Sequence, residues 1–268
     1  MQNLFISLLG YFSSWVLMLV TLAVALFAEA IHTFLSSKSL SRRGTVVSFI
    51  PLRDIFRSIT VPVSLPENAA VRLSIYLPCL ALAGLIPIAA SIPFFSFVPV
   101  MDNGGDLMQI LQFALLSETL AILSVLSLGT PAAEATAKRM MNELIGLIVP
   151  MMAAFVSIGF YYSASGVQGD PFSLNTFTKA QHMSASVPFS LTGTLMFIFV
   201  IFSRIPHSNA GFGCSLLENG ELPDFNGAPR STLQLWSIFR AFLVVALVTH
   251  IFFPWVFFKG LNAGFSIS

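Results

Sequence analysis

The sequence predicts an all-α integral membrane protein: a single transmembrane domain over residues 1–268, with about six transmembrane helices and one amphipathic helix in the membrane interface. Three observations carry this. Charged residues make up only 9% of the chain, against roughly 25% in soluble domains. Hydrophobic residues make up 56% of the sequence, and the mean hydropathy is +0.84. Finally, apolar runs of spanning length, about 20 residues, recur along the whole chain between polar connections.

The first run extends from Leu4 to about Phe34. It has no Lys or Arg before Lys38, so it lacks the basic start of a signal peptide and reads as a membrane helix. Residues 35–70 form a basic, proline-interrupted loop. Within it, Leu52, Ile55, Phe56 and Ile59 share one helical face, with Arg53, Asp54 and Arg57 elsewhere. That pattern suits a short helix lying in the interface.

The second span covers about 72–98 and contains Pro78, Pro87 and Pro93. Proline is tolerated inside membrane helices where neighbouring groups satisfy the freed carbonyls. Asp102 to Asp106 supplies the next turn, and the third span follows at about 107–129. A polar connection over residues 130–139 leads to a fourth span at about 140–162. The fifth covers about 184–202, a loop occupies 203–232, and the sixth covers about 233–258.

Basic residues set the orientation, because Lys and Arg accumulate in cytoplasmic loops. Lys38, Arg42, Arg43, Arg53, Arg57, Lys138, Arg139, Arg204 and Arg230 all follow odd-numbered spans. Those loops (35–70, 130–139 and 203–232) are therefore expected in the cytoplasm, with both termini on the outer side of the cell membrane.

Ionisable groups inside a membrane are costly and mark functional sites by default. Glu29, Glu118, Glu143 and Arg240 fall in predicted spans. Linked by water, such groups are the minimum needed to move protons. The same residues also suit a static buried ion pair or polar contacts between helices, and the sequence leaves both readings open. The four histidines are scattered and no two stand at i, i+4, so no haem or metal site is expected in this chain. A net charge of +1 gives no nucleic-acid footprint.

Three stretches resemble one family. Arg42-Arg43-Gly44-Thr45, followed by Pro51-Leu-Arg-Asp-Ile-Phe-Arg-Ser-Ile59, is similar to the basic segment after the first helix in the membrane subunit of formate hydrogenlyase. Subunit 1 of respiratory complex I carries a looser version. Arg204-Ile-Pro206 resembles the Arg-x-Pro that opens the long cytoplasmic loop of those proteins. Glu218 to Gly227 resembles their acidic run ending in Glu-Tyr-Ser-Gly, with Asp224 in the Glu position. His250-Ile-Phe-Phe-Pro-Trp255 is similar to the Phe-Phe-Pro-Trp of the hydrogenase branch.

The resemblance runs over about residues 10–257, to a divergent branch whose C-terminus is shorter than the family's. It departs at His207 to Cys214, where the family carries acidic residues and this chain has none.

The resemblance implies a membrane anchoring and ion-coupling subunit of a hydrogenase-like or complex I-like redox complex. Its partners would be a hydrogenase-like large subunit, an iron–sulfur small subunit and antiporter-like membrane subunits moving protons or sodium. Cofactors are expected in the partners, as iron–sulfur clusters and a NiFe centre, and none in this chain. A quinone enters only in the complex I branch. Glu218, Glu221 and Asp224 would be the loop's coupling carboxylates, continued into the membrane by Glu118 and Glu143, with Glu29 and Arg240 beside them. Arg42, Arg43, Arg53, Asp54, Arg57 and Arg204 would dock the soluble arm. A stand-alone transporter or channel is the alternative, although the repeated halves common in transporters are not visible.

Overall fold

The computed structural model describes residues 16, 19–20, 22–27, 31, 50–92, 106–164, 172–173 and 226–252. The helices are α1 (Ile50–Thr60), α2 (Val71–Ser91), α3 (Leu107–Leu126), α4 (Pro131–Ala164) and α5 (Ala228–Phe252). The described positions between 16 and 31 are also helical. Among the described residues the only β pairing is an isolated bridge between Asp106 and Ser173.

Among the described residues, three stretches are long and apolar enough to cross a membrane: Val71–Ser91, Leu107–Leu126 and Ala228–Leu247. They correspond to the second, third and sixth predicted spans. The predicted fifth span lies outside the described residues, as does most of the first. Large apolar side chains face outward along α2 (Leu73, Tyr76, Leu80) and α3 (Leu116, Leu123, Leu126). Such stripes suit contact with hydrocarbon and would be a liability in water.

The predicted interfacial helix forms as α1. Ile55 is buried and packs with Ala25 and Ile238 of α5, whereas Phe56, Arg57 and Ile59 are exposed. Among the described side chains of its apolar face, Ile55 is thus seated on the bundle while Phe56 and Ile59 stay exposed.

α2 ends at Ser91, well before the predicted limit near residue 98. The reason is Pro93, which disfavours the helical region for the residue before it; Ile92 is accordingly extended, at φ −86° and ψ 122°. Pro78 and Pro87 remain inside the helix. Here Ser91 Oγ donates to the Pro87 carbonyl at 2.8 Å, and Ser74 Oγ donates to the Ala70 carbonyl at 3.1 Å.

Asp106 begins α3, accepting from the Met108 N–H at 2.9 Å. This is the usual way a side chain satisfies an orphan donor at a helix start. The connection to α4 is much shorter than predicted. Only residues 127–130 are non-helical, so most of the expected loop at 130–139 is helix, and α4 runs for 34 residues. Two local signals explain this. Thr130 Oγ1 accepts from the Ala133 N–H at 3.2 Å, and Pro131 occupies the first helical position, where its missing N–H costs nothing. The segment 131–139 is amphipathic: Ala133, Thr136 and Ala137 are buried, while on the exposed side Glu134 and Lys138 pair at 3.0 Å with both side chains mostly solvated. Such a pair contributes little to stability.

Small residues let α2 and α3 approach closely. A Cβ on Gly84 would lie 3.1 Å from the Ser117 Cβ. At the end of this interface Ser74 and Ser127 share a hydroxyl hydrogen bond of 2.8 Å, and Ala70 N–H donates to the Ser127 carbonyl at 2.8 Å. Membrane helices associate through this kind of small-residue packing and polar contact.

α5 starts at Ala228, five residues before the predicted sixth span. Gly227 turns the chain into it at φ +76°, where a Cβ would come within 3.0 Å of the Val61 carbonyl and Val63. Asn226 Nδ2 donates to Ser64 Oγ nearby at 3.1 Å. α5 is the most enclosed of the three apolar spans, at 61% buried against 33% and 44%. Its Leu233, Trp236, Phe239, Leu243 and Leu247 meet Ala81, Leu85 and Ile88 of α2 and Leu107, Ile110 and Ala121 of α3 in one core.

Candidate functional site

The inward face of α3 carries Leu107, Ile110, Leu111, Ser117, Glu118, Ala121, Ile122 and Val125. This spacing follows the helical period, so Glu118 is buried with the apolar side chains of the same face. On α5, Leu233, Trp236, Arg240, Leu243 and Leu247 fall on one stripe in the same way. The two stripes face each other near the middle of both helices, and the only two opposite charges on them meet there.

Arg240 Nη1 donates to Glu118 Oε2 at 2.7 Å, with 9% and 8% of the two side chains exposed. The distance is that of a charge-assisted hydrogen bond. Removing both charges from water costs several kcal/mol per ion, and close geometry is what offsets it. Arg240 Nε has no hydrogen-bond partner among the described residues. The guanidinium carbon lies 5.0 Å from the centre of the Trp236 ring, within the range where a cation is held by an aromatic face.

Trp236 is anchored in turn. Its Nε1–H donates to Ser117 Oγ at 2.8 Å, and Ser117 Oγ donates to the Ala81 carbonyl on α2 at 2.7 Å. One connected line of contacts therefore ties three helices at the level of the charge pair.

Beside the pair lies a cavity of about 50 Å³, room for a few water molecules at roughly 10–15 Å³ each. Its walls are apolar side chains from α2 to α5, among them Leu85, Ile110, Phe155 and Leu247, and its charged residues are Glu118 and Arg240. Because the walls are apolar, water would be held there only by polar groups, and those the cavity offers are the carboxylate of Glu118 and the guanidinium of Arg240.

The other sequence-predicted residues are placed differently. Glu143 is half-buried on α4 and does not line this cavity. Arg57 is exposed in the last turn of α1. Arg53 and Asp54 are on α1, with their side chains outside what is described. Glu29, Arg42, Arg43, Arg204, Glu218, Glu221 and Asp224 lie outside the described residues. Sequence reasoning missed Ser117 and Trp236. The available signals were a Trp one helical turn before an intramembrane Arg, and a Ser adjacent to an intramembrane Glu.

No family model matches the sequence, and no curated protein is significantly similar to it. The fold does match a solved structure. The chain superposes on a membrane subunit of the membrane-bound sulfane sulfur reductase, an archaeal respiratory membrane complex, with a TM-score of 0.69. The match covers 91% of this chain and 78% of that one at 17% sequence identity. The chain thus has the fold of a membrane subunit from a respiratory membrane complex, with a buried Glu–Arg pair at the centre of its helix bundle.

Proposed function

We propose that this chain is a membrane anchoring and ion-coupling subunit of a multi-subunit redox complex of the hydrogenase-like or complex I-like kind. In this reading it holds a soluble arm, made of a hydrogenase-like large subunit and an iron–sulfur small subunit, on the membrane. It links that arm to antiporter-like subunits that move protons or sodium. Iron–sulfur clusters and a NiFe centre belong to the partners, and this chain carries no cofactor. α1, with its exposed Phe56, Arg57 and Ile59, provides the surface near which the arm sits. In this reading Arg42, Arg43 and Arg204 supply the remaining docking residues, and Glu218, Glu221 and Asp224 the remaining coupling carboxylates.

The observation that carries the reading is the Glu118–Arg240 pair, buried mid-span beside a cavity large enough for water. An anchor alone gains little from such a pair, since apolar residues of similar volume are often as stable or more so. The likeness to a subunit of the sulfane sulfur reductase complex supports the setting, a respiratory assembly in the membrane.

Affinity purification of the tagged chain from gently solubilised native membranes tests the assembly. Mass spectrometry is expected to find an iron–sulfur subunit, a hydrogenase-like large subunit and antiporter-like membrane proteins with it. A chain recovered alone would overturn the reading and favour a stand-alone transporter or channel.

A further inference from the structure

We propose that Trp236 is a positioning residue for ion coupling: its ring is the second seat for the Arg240 charge, holding the guanidinium in place when Glu118 is neutral. The proposal rests on the coupling reading of Glu118 and goes beyond it by naming what makes that change of state tolerable.

The hydrogen bonds behind the ring leave it one orientation. An indole N–H can only donate, and a serine hydroxyl has a single proton. Ser117 gives that proton to the Ala81 carbonyl and takes the indole N–H on a lone pair. Neither group titrates near neutral pH, and both protons are committed, so this line does not conduct protons. Its effect is geometric. Because Ala81 belongs to α2 and Gly84, one turn on, brings that backbone against Ser117, the ring is fixed to the α2–α3 frame as well as to its own helix.

Arg240 stands four residues after Trp236 on α5, and its guanidinium rests on the ring face at 5.0 Å. Arginine keeps its charge under all conditions in proteins. While Glu118 is ionised, the carboxylate offsets that charge. Once Glu118 takes a proton, the negative ring face is what remains in contact with a buried cation. A guanidinium can keep its stacking on the ring while its hydrogen bond to the carboxyl weakens and re-forms. The pair therefore cycles without Arg240 leaving its place.

The test uses the whole complex, isolated through a tag on this chain and reconstituted in phospholipid vesicles. Charge movement is read with an oxonol dye, which responds to either cation. Redox turnover is driven by reduced methyl viologen. Trp236→Leu removes ring and N–H and is expected to lower ion movement per electron at least fivefold. Trp236→Phe keeps an aromatic face and is expected to recover at least half. Fluorinated tryptophans inserted at position 236 keep the shape and the N–H while draining the ring face of electron density. Coupling is expected to fall stepwise with each added fluorine, and this series decides the matter if Trp236→Leu does not assemble. A coupling ratio that ignores fluorine number would overturn the role of Trp236. Glu118→Gln, measured alongside, separates the two ideas. If it loses ion movement while the fluorinated series does not, only the Trp236 proposal fails. If Glu118→Gln matches the wild type, the coupling reading itself fails, and the Trp236 proposal with it.

Discussion

Glu118→Ala is expected to destabilise the helix bundle by about 3–5 kcal/mol, the usual cost of leaving one partner of a buried ion pair without the other. The Arg240 guanidinium would stay charged, with its side chain only 9% exposed and its Nε already without a partner among the described residues. Arg240→Ala should cost less, because a carboxyl that loses its cation can take a proton and become neutral whereas a guanidinium cannot. Replacing both together, as Glu118→Leu with Arg240→Met, should recover most of the loss, since apolar residues of similar volume often pack at least as well. Thermal unfolding of the detergent-solubilised protein, followed by size-exclusion fluorescence, gives the ranking. Equal stability of Glu118→Ala and wild type would mean that the two charges are not paired in the folded protein.

Gly84→Leu is expected to cost about 1–3 kcal/mol by overpacking the α2–α3 interface. Even the first carbon of a side chain at this position would lie 3.1 Å from Ser117 Cβ and 3.4 Å from its Cα. Backbone cannot yield there as a flexible side-chain tip can, so the helices must separate. That separation would stretch the 2.7 Å bond from Ser117 to the Ala81 carbonyl and loosen the anchor of Trp236. Gly146 on α4 is the control: a Cβ there meets none of the described residues within 4 Å, so Gly146→Leu should melt within about 0.5 kcal/mol of wild type, as surface changes usually do. Similar losses from both substitutions would contradict the close α2–α3 approach.

Much of this fold was legible in the chain because apolar length and scarcity of charge are one-dimensional signals. The long apolar helices α2, α3 and α5, the amphipathic α1, and the placement of Glu118 and Arg240 inside long apolar helices all followed from them. The pairing did not. Three carboxylates were candidates for one guanidinium, and a contact between residues 122 apart in sequence depends on how two helices are rotated about their axes. Element ends failed for local reasons. Pro93 ended α2 early through its effect on Ile92. Thr130 and Pro131 began α4 early through capping, while the polarity of the following residues argued for a loop. Trp236 went unnoticed because in a membrane span an indole counts as one more apolar residue until its N–H and ring face have partners. The serines were overlooked similarly: Ser74, Ser117 and Ser127 interrupt hydropathy only slightly, yet they place α2 against α3.

The most direct measurement is ion movement per electron in the reconstituted complex carrying Glu118→Gln. The amide keeps the shape of the side chain and an oxygen for the Arg240 N–H, so the complex should assemble, while the group can no longer gain or lose a proton. Redox turnover with unchanged subunit content, together with an at least tenfold fall in ion movement, is the expected result. Wild-type ion movement in that variant would contradict the coupling role and leave the Glu118–Arg240 pair as a structural contact between α3 and α5.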